Sequence, residues 1–238
     1  MFATLLIPLV ALTLAPPDTV RVGNPSLPTA LSPGVETVNN YVVRDGNKHL
    51  VLTFVQTITE VPDGYRIIQE NRRLNGAVVS LDTIIVVRGT LATAWHGDMT
   101  PLGKRHVAFG HGRMTGVALD TLDRQTQIDV EVPSGLFDYS IMTLVADRLP
   151  LKVGYKATVA TYDITRGEVY VPIEVVGMES IVIDGTTFDT WKMEVDLGGP
   201  KVSRWVERDT RKEIKWSVKF NGREMIGERQ QEANETRD

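Results

Sequence analysis

The sequence of 238 residues contains no cysteine. This absence excludes disulfides, thiolate metal ligands, a cysteine nucleophile and lipid attachment through cysteine. The chain also lacks an excess of positive charge, since 26 Lys and Arg stand against 30 Asp and Glu and the formal net charge is −4. A general nucleic-acid-binding protein normally carries a basic surface, so we expect no nucleic-acid partner.

Long apolar runs are scarce as well, and the one that is present lies at the N-terminus. The run from Phe2 to Ala15 carries no charge and is shorter than the roughly 20 residues that span a bilayer. Small residues at Thr13 and Ala15 suit cleavage after Ala15, so we predict that residues 1–15 are a signal peptide. The alternatives are a buried strand or a membrane anchor. The prediction implies an exported protein, periplasmic or extracellular, with no transmembrane segment in the mature chain.

Three further regions follow the predicted signal peptide. Residues 16–37 are rich in proline and small polar residues, which is typical of an extended lead-in. Residues 38–226 are predicted to form a single β-barrel-like domain, and residues 227–238 a flexible polar tail.

The predicted domain shows the alternation of β-strands rather than helical spacing. In Glu213 to Phe220, for example, apolar side chains alternate with polar ones, as expected for strands with one buried face. Turn sequences such as Asp45-Gly46 and Asn75-Gly76 separate such runs. The sequence therefore predicts a mainly β fold: a strongly curved antiparallel sheet that forms an open or closed barrel.

One segment, Asp138 to Arg148, has helical spacing instead. Its apolar residues include Ile141, Leu144 and Val145, which would share one helix face. Asp138 is a good N-cap, and Pro150 cannot donate the next helical hydrogen bond. We predict one short helix, about residues 138–148, packed on the inner side of the sheet or at one end of it.

The order of these features between about residues 135 and 220 resembles a known family. The matching features are Asp138 and its helix, Arg148-Leu149-Pro150-Leu151, Gly154, Val176-Gly177-Met178-Glu179, Gly185 to Lys192, and Arg204 to Asp209. This pattern resembles an exported bacterial family of unknown function with a half-barrel fold, and more distantly the lipoprotein carriers and sorting proteins of the bacterial envelope. The first resemblance implies location and fold without an activity. The second implies an incomplete barrel around an apolar cavity for acyl chains, and neither assigns a residue.

His96 and His106 are the strongest candidates for a metal site. They flank a loop centred on Pro101, so symmetric pairing of that hairpin would place the two rings opposite each other on one face. With a nearby carboxylate they would resemble a zinc site, whereas the alternative is a pair of exposed or hydrogen-bonded histidines. No Gly-x-Ser-x-Gly or phosphate-binding loop motif occurs. We therefore assign no catalytic residue and expect no cofactor.

The four tryptophans, Trp95, Trp191, Trp205 and Trp216, are candidates for the lining of an apolar cavity. Ordinary core packing is the alternative. The favoured function is a non-catalytic exported protein that binds an apolar ligand, a lipid or an acyl chain, in a barrel cavity. The second is a structural or interaction protein of the cell envelope, with a filled core and a protein partner. A metal-dependent or other hydrolase is the least favoured.

Overall fold

The computed structural model describes residues 18–231, which form one sheet of 16 strands and a short helical segment. The strands are β1 (Asp18–Val20), β2 (Gly34–Arg44), β3 (Asn47–Val61), β4 (Gly64–Arg72), β5 (Val78–Val87), β6 (Thr93–Thr100), β7 (Gly103–Gly110), β8 (Arg113–Asp120), β9 (Gln125–Glu131), β10 (Phe137–Asp138), β11 (Lys156–Asp163), β12 (Gly167–Ile183), β13 (Thr186–Asp196), β14 (Lys201–Glu207), β15 (Glu213–Phe220) and β16 (Arg223–Arg229). Most consecutive strands are hairpin neighbours, as the closely spaced turn sequences predict.

The sheet is curved and is not closed into a barrel. Its order is β1-β11-β12-β13-β14-β15-β16-β2-β3-β4-β5-β6-β7-β8-β9, with β10 also paired to β11. β1 and β10 run parallel to β11, and the remaining pairs are antiparallel. The pairing of β16 with β2 joins the two halves of the chain in the middle of the sheet. The prediction of a mainly β fold with a curved antiparallel sheet is confirmed, in its open form.

The predicted short helix is also confirmed, although it is shorter than its apolar pattern indicated. A turn of 3-10 helix (Tyr139–Ile141) leads into α1 (Met142–Ala146). Asp138 is the N-cap and accepts a hydrogen bond from the Ser140 backbone N–H at 2.8 Å. At the other end Leu149 N–H bonds to Ala146 C=O, which tightens the last turn before Pro150 stops it.

Two apolar clusters lie under the sheet. The larger one contains the buried side chains of the helical segment and inward-facing residues of β3–β5 and β11–β14. The smaller one is centred on Val107, Met114 and Tyr162, near the β9 end of the sheet. The helical segment is thus packed on the sheet, as predicted.

The boundaries of the domain differ in detail from the predicted ones. The predicted lead-in contributes β1, and its Leu27 and Leu31 are buried in the larger cluster. β2 begins at Gly34 and β16 ends at Arg229. The predicted signal peptide lies outside the described residues, as does most of the predicted tail. Within residues 18–231 no helix has the length and apolar character needed to cross a membrane.

Candidate functional site

A cavity of about 430 Å³ lies between the helical segment and the sheet. Met142 and Thr143 of α1 form one wall. The facing walls come from β2–β4, from β13–β15 and from Leu197 just after β13, and they are mostly apolar: Val38, Asn40, Phe54, Asn71, Val195, Leu197, Val202, Arg204, Glu213, Trp216 and Val218. The volume falls within the range of roughly 300–1,000 Å³ that small-molecule sites occupy.

The floor of this cavity is a row of valines on neighbouring strands. Val195 of β13 pairs with Val202 of β14, which pairs with Val218 of β15. Beside them the Trp216 indole lies over Gly227 of β16, where a Cβ atom would come within 1.9 Å of Trp216 Nε1. Glycine at this position therefore lets the indole lie flat on the neighbouring strand.

Of the four tryptophans considered from the sequence, the structure brings Trp216 to the cavity. Trp205 follows Arg204 in β14 and faces the opposite side of the sheet, where the ammonium groups of Lys192 and Lys215 lie over its ring. Trp191 packs at the edge of the larger core. Trp95 lies over Gly97, with His106 against its ring. Ligand contact is thus a proposal for Trp216. The other three tryptophans do not line this cavity.

A buried charge cluster forms one side of the cavity. The Arg204 guanidinium, 3% exposed, contacts Asp147 at the end of α1 and Glu213 of β15. Asp147 Oδ1 is 2.8 Å from Arg204 Nη1, but the contact lacks hydrogen-bond geometry. Burial raises the pKa of both carboxyl groups, and the shared guanidinium only partly opposes this shift. The cluster therefore ties the helix to the sheet without leaving an unpaired positive charge.

A second polar cluster lies around His96 in β6. His96 Nδ1 is 2.7 Å from Asp138 Oδ2, and its Nε2 is 3.1 Å from Asp82 Oδ1. Burial alone would lower the pKa of His96, but the hydrogen bonds and charges of Asp138 and Asp82 outweigh it and raise that pKa to about 10. A histidine that stays protonated at neutral pH has no lone pair with which to act as a base.

The expected pairing of His96 with His106 is wrong. Thr100 pairs with Gly103, so the turn contains only Pro101 and Leu102, and His106 lies opposite Gly97 rather than His96. Adjacent residues of a strand face opposite sides of the sheet. His96 is therefore buried, and His106 is exposed on the other face.

The histidine that is buried does lie among carboxylates. Asp82, His96 and Asp98 each offer one ligand atom, and these atoms lie within 4.8 Å of one another. However, Asp98 Oδ2 is 2.6 Å from the Arg105 guanidinium, and both His96 nitrogens have carboxylate partners. A metal ion there would have to displace a proton from His96 and compete with Arg105. The sequence indicated His96 but not its partners, which are Asp82 of β5 and Asp138 at the helix cap.

Comparison with known proteins identifies the family. Residues 41–234 match the family described as "Protein of unknown function (DUF3108)". The chain belongs to the DUF3108 family. This confirms the predicted membership of a family of unknown function and extends the match well beyond residues 135–220. No curated protein matches the chain.

One solved structure is similar to this DUF3108 protein over most of its length. It is the lipoprotein LppX of Mycobacterium tuberculosis, which is 12% identical. The alignment covers 84% of this chain and 86% of LppX, with a TM-score of 0.25. A TM-score of this size does not establish a shared arrangement of the strands.

Proposed function

We propose that this chain is an exported, non-catalytic binding protein that holds an apolar ligand, a lipid or an acyl chain, between its helix and its sheet. The observation that carries the proposal is the cavity of about 430 Å³ with its floor of valines. The space opens to solvent and its lining is mostly apolar, which is typical of the clefts in which small apolar molecules bind. The cavity also favours this function over that of an interaction protein with a filled core.

The lining gives a ligand a simple source of affinity. Burying one methylene group contributes about 0.8 kcal/mol, which is roughly fourfold in Kd. A chain of about ten methylene groups lying on Val195, Val202 and Val218 would contribute about 8 kcal/mol by this measure, from which the cost of association is subtracted. The uncharged run from Phe2 to Ala15 supports the exported location.

A cavity-filling substitution tests the proposal. Val202 stands in the middle of the valine row, so Val202→Phe should occupy the space where a ligand would lie. We expect it to weaken binding of the neutral fluorescent probe N-phenyl-1-naphthylamine by about tenfold or more. The matched control is Val182→Phe on β12. Val182 is 66% exposed, so this substitution should leave binding unchanged.

Native mass spectrometry of the full chain, purified after export, provides the second measurement. A co-purifying apolar adduct that is lost in Val202→Phe but kept in Val182→Phe supports the proposal. Equal probe affinity in wild type and Val202→Phe, with both folded, would show that this cavity does not hold the ligand. A chain that takes up no apolar probe at all would contradict the function itself.

A further inference from the structure

One polar side chain that lines the apolar cavity has a buried atom without a hydrogen-bond partner in the described residues. Asn40 of β2 lines the cavity and is only 9% exposed. Its Oδ1 atom is buried and has no hydrogen-bond partner within residues 18–231. A buried amide oxygen without a partner costs stability, so a leucine would be the more stable choice for a wall that served only to pack.

The other amide on this wall is already engaged. Asn71 of β4 donates a hydrogen bond from Nδ2 to Ser80 Oγ at 2.9 Å. Trp216 stands close to Asn40, since its indole covers Gly227 and Gly227 pairs with Asn40 across β16 and β2. Asn40, with its unpaired buried oxygen, and Trp216 thus lie on neighbouring parts of the cavity lining.

The charges that border the cavity do not favour an ionised ligand. Arg204 and Glu213 line it, but the Arg204 guanidinium is already paired with two carboxyl groups, Asp147 and Glu213. A carboxylate or phosphate brought to this wall would find no free cation, and a buried charge without a partner is strongly disfavoured. The polar group of a ligand should therefore be uncharged.

A hydroxyl group fits Asn40 best. The amide can turn about χ2 and present either its oxygen or its NH₂ group, and a hydroxyl group both donates and accepts hydrogen bonds. An ether or ester oxygen can only accept. When the amide presents its unpaired oxygen to the cavity, a hydroxyl group can donate a hydrogen bond to it, whereas an ether or ester oxygen cannot.

Building on the proposed function, we propose that the ligand is a single-chain amphiphile that ends in an uncharged hydroxyl group. Its alkyl chain lies on the valine floor, and its hydroxyl group donates a hydrogen bond to Asn40 Oδ1. In this arrangement Asn40 sets the specificity of the cavity, while the apolar residues supply the affinity.

Four probes with the same alkyl chain test this inference on the wild-type chain: decanol, decyl methyl ether, decanoate and decylammonium. Each is titrated at pH 7 against bound N-phenyl-1-naphthylamine. We expect decanol to displace the probe at about a tenfold lower concentration than the methyl ether, which cannot donate a hydrogen bond. We expect both charged probes to be weaker than decanol.

Substitution of the amide locates the effect. Asn40→Leu should weaken decanol binding to the level of the methyl ether and leave the ether unchanged. It should also raise the melting temperature of the ligand-free protein, because it removes an unpaired buried acceptor. The control is Asn39→Leu on the opposite face of β2, where Asn39 contacts Thr53 at 3.4 Å, and it should keep the preference for decanol.

The outcomes separate this inference from the function on which it rests. Equal binding of decanol and its methyl ether, or tightest binding of decanoate or decylammonium, overturns the hydroxyl specificity while the cavity still binds alkyl chains. Loss of the decanol preference in Asn39→Leu but not in Asn40→Leu also overturns it. If none of the four probes displaces the fluorophore, both the specificity and the proposed function fail.

Discussion

His96 is held in its charged form on the buried side of the sheet by two carboxylates. Each ring nitrogen has its own carboxylate partner, Asp138 through Nδ1 and Asp82 through Nε2, so both nitrogens act as donors. The histidine is 3% exposed. The charged imidazole therefore contributes to the stability of the fold through its two carboxylate partners.

This arrangement predicts a specific pH dependence of stability. The pKa of His96 is about 10 in the folded chain and about 6.5 when unfolded. The folded state therefore holds one more proton between these values, and stability that is fully present below pH 6.5 is lost as the pH rises toward 10. Relative to His96→Gln, the wild type should lose about 1.4 kcal/mol per pH unit across this window.

Urea unfolding between pH 6 and pH 9.5 measures this difference. His106→Gln, which removes an exposed histidine, is the control and should give a profile parallel to that of wild type. Parallel profiles for wild type and His96→Gln would mean that His96 carries no extra proton in the folded state.

At the scale of elements, the sequence predicted where strands and turns occur but not how the strands are aligned. Period-two alternation and turn residues located most hairpins, and Asp138 and Pro150 marked the helical segment. The register of β6 and β7 was missed because a turn of two residues, Pro101 and Leu102, replaces symmetry about Pro101. A shift of one residue moves a side chain to the other face, which separated His96 from His106.

Long-range contacts explain the remaining differences. In β12 the irregularity at Val176 and Gly177 is absorbed by a bulge between Val175 and Gly177, which does not end the strand. The cavity needs β2 beside β16, and the His96 cluster needs the helix cap beside β6. Local propensity does not specify such neighbours, since they depend on how distant segments pack.

The Arg204 cluster joins the end of α1 to β14 and β15, and its removal should loosen that junction. Arg204→Met leaves Asp147 and Glu213 buried without a cation, which should cost about 3–5 kcal/mol at pH 7. Burial already raises the pKa of both carboxyl groups. They therefore take up protons readily as the pH falls, and the cost should be smaller at pH 5.

Denaturant unfolding at the two pH values tests this expectation. Lys156→Met provides the comparison, because its ion pair with Glu174 lies in an exposed position and should contribute less than about 1 kcal/mol. A cost for Arg204→Met that is as small as that of Lys156→Met, or that grows at pH 5, would contradict the role given to the cluster.

At the scale of the whole molecule, the sheet is continuous but its apolar packing is divided. The larger cluster lies beneath the helical segment, next to the cavity. The smaller cluster around Val107, Met114 and Tyr162 supports β7–β9 at the far end of the sheet. Regions with fewer buried contacts open more readily, so the β9 end should be the less stable one.

The division predicts that the far end can be weakened without loss of binding. Met114→Ala in the smaller cluster should speed hydrogen exchange of the β7–β9 amides, because it leaves a cavity where a side chain 1% exposed was packed. Binding of N-phenyl-1-naphthylamine should stay within about twofold of wild type.

Met193→Ala is the matched variant in the larger cluster, where Met193 of β13 pairs with Arg204. It should accelerate exchange in β13 and β14 and weaken probe binding. If Met114→Ala weakened binding as much as Met193→Ala, the two ends of the sheet would have to act as one unit, and the cavity would depend on packing throughout the molecule.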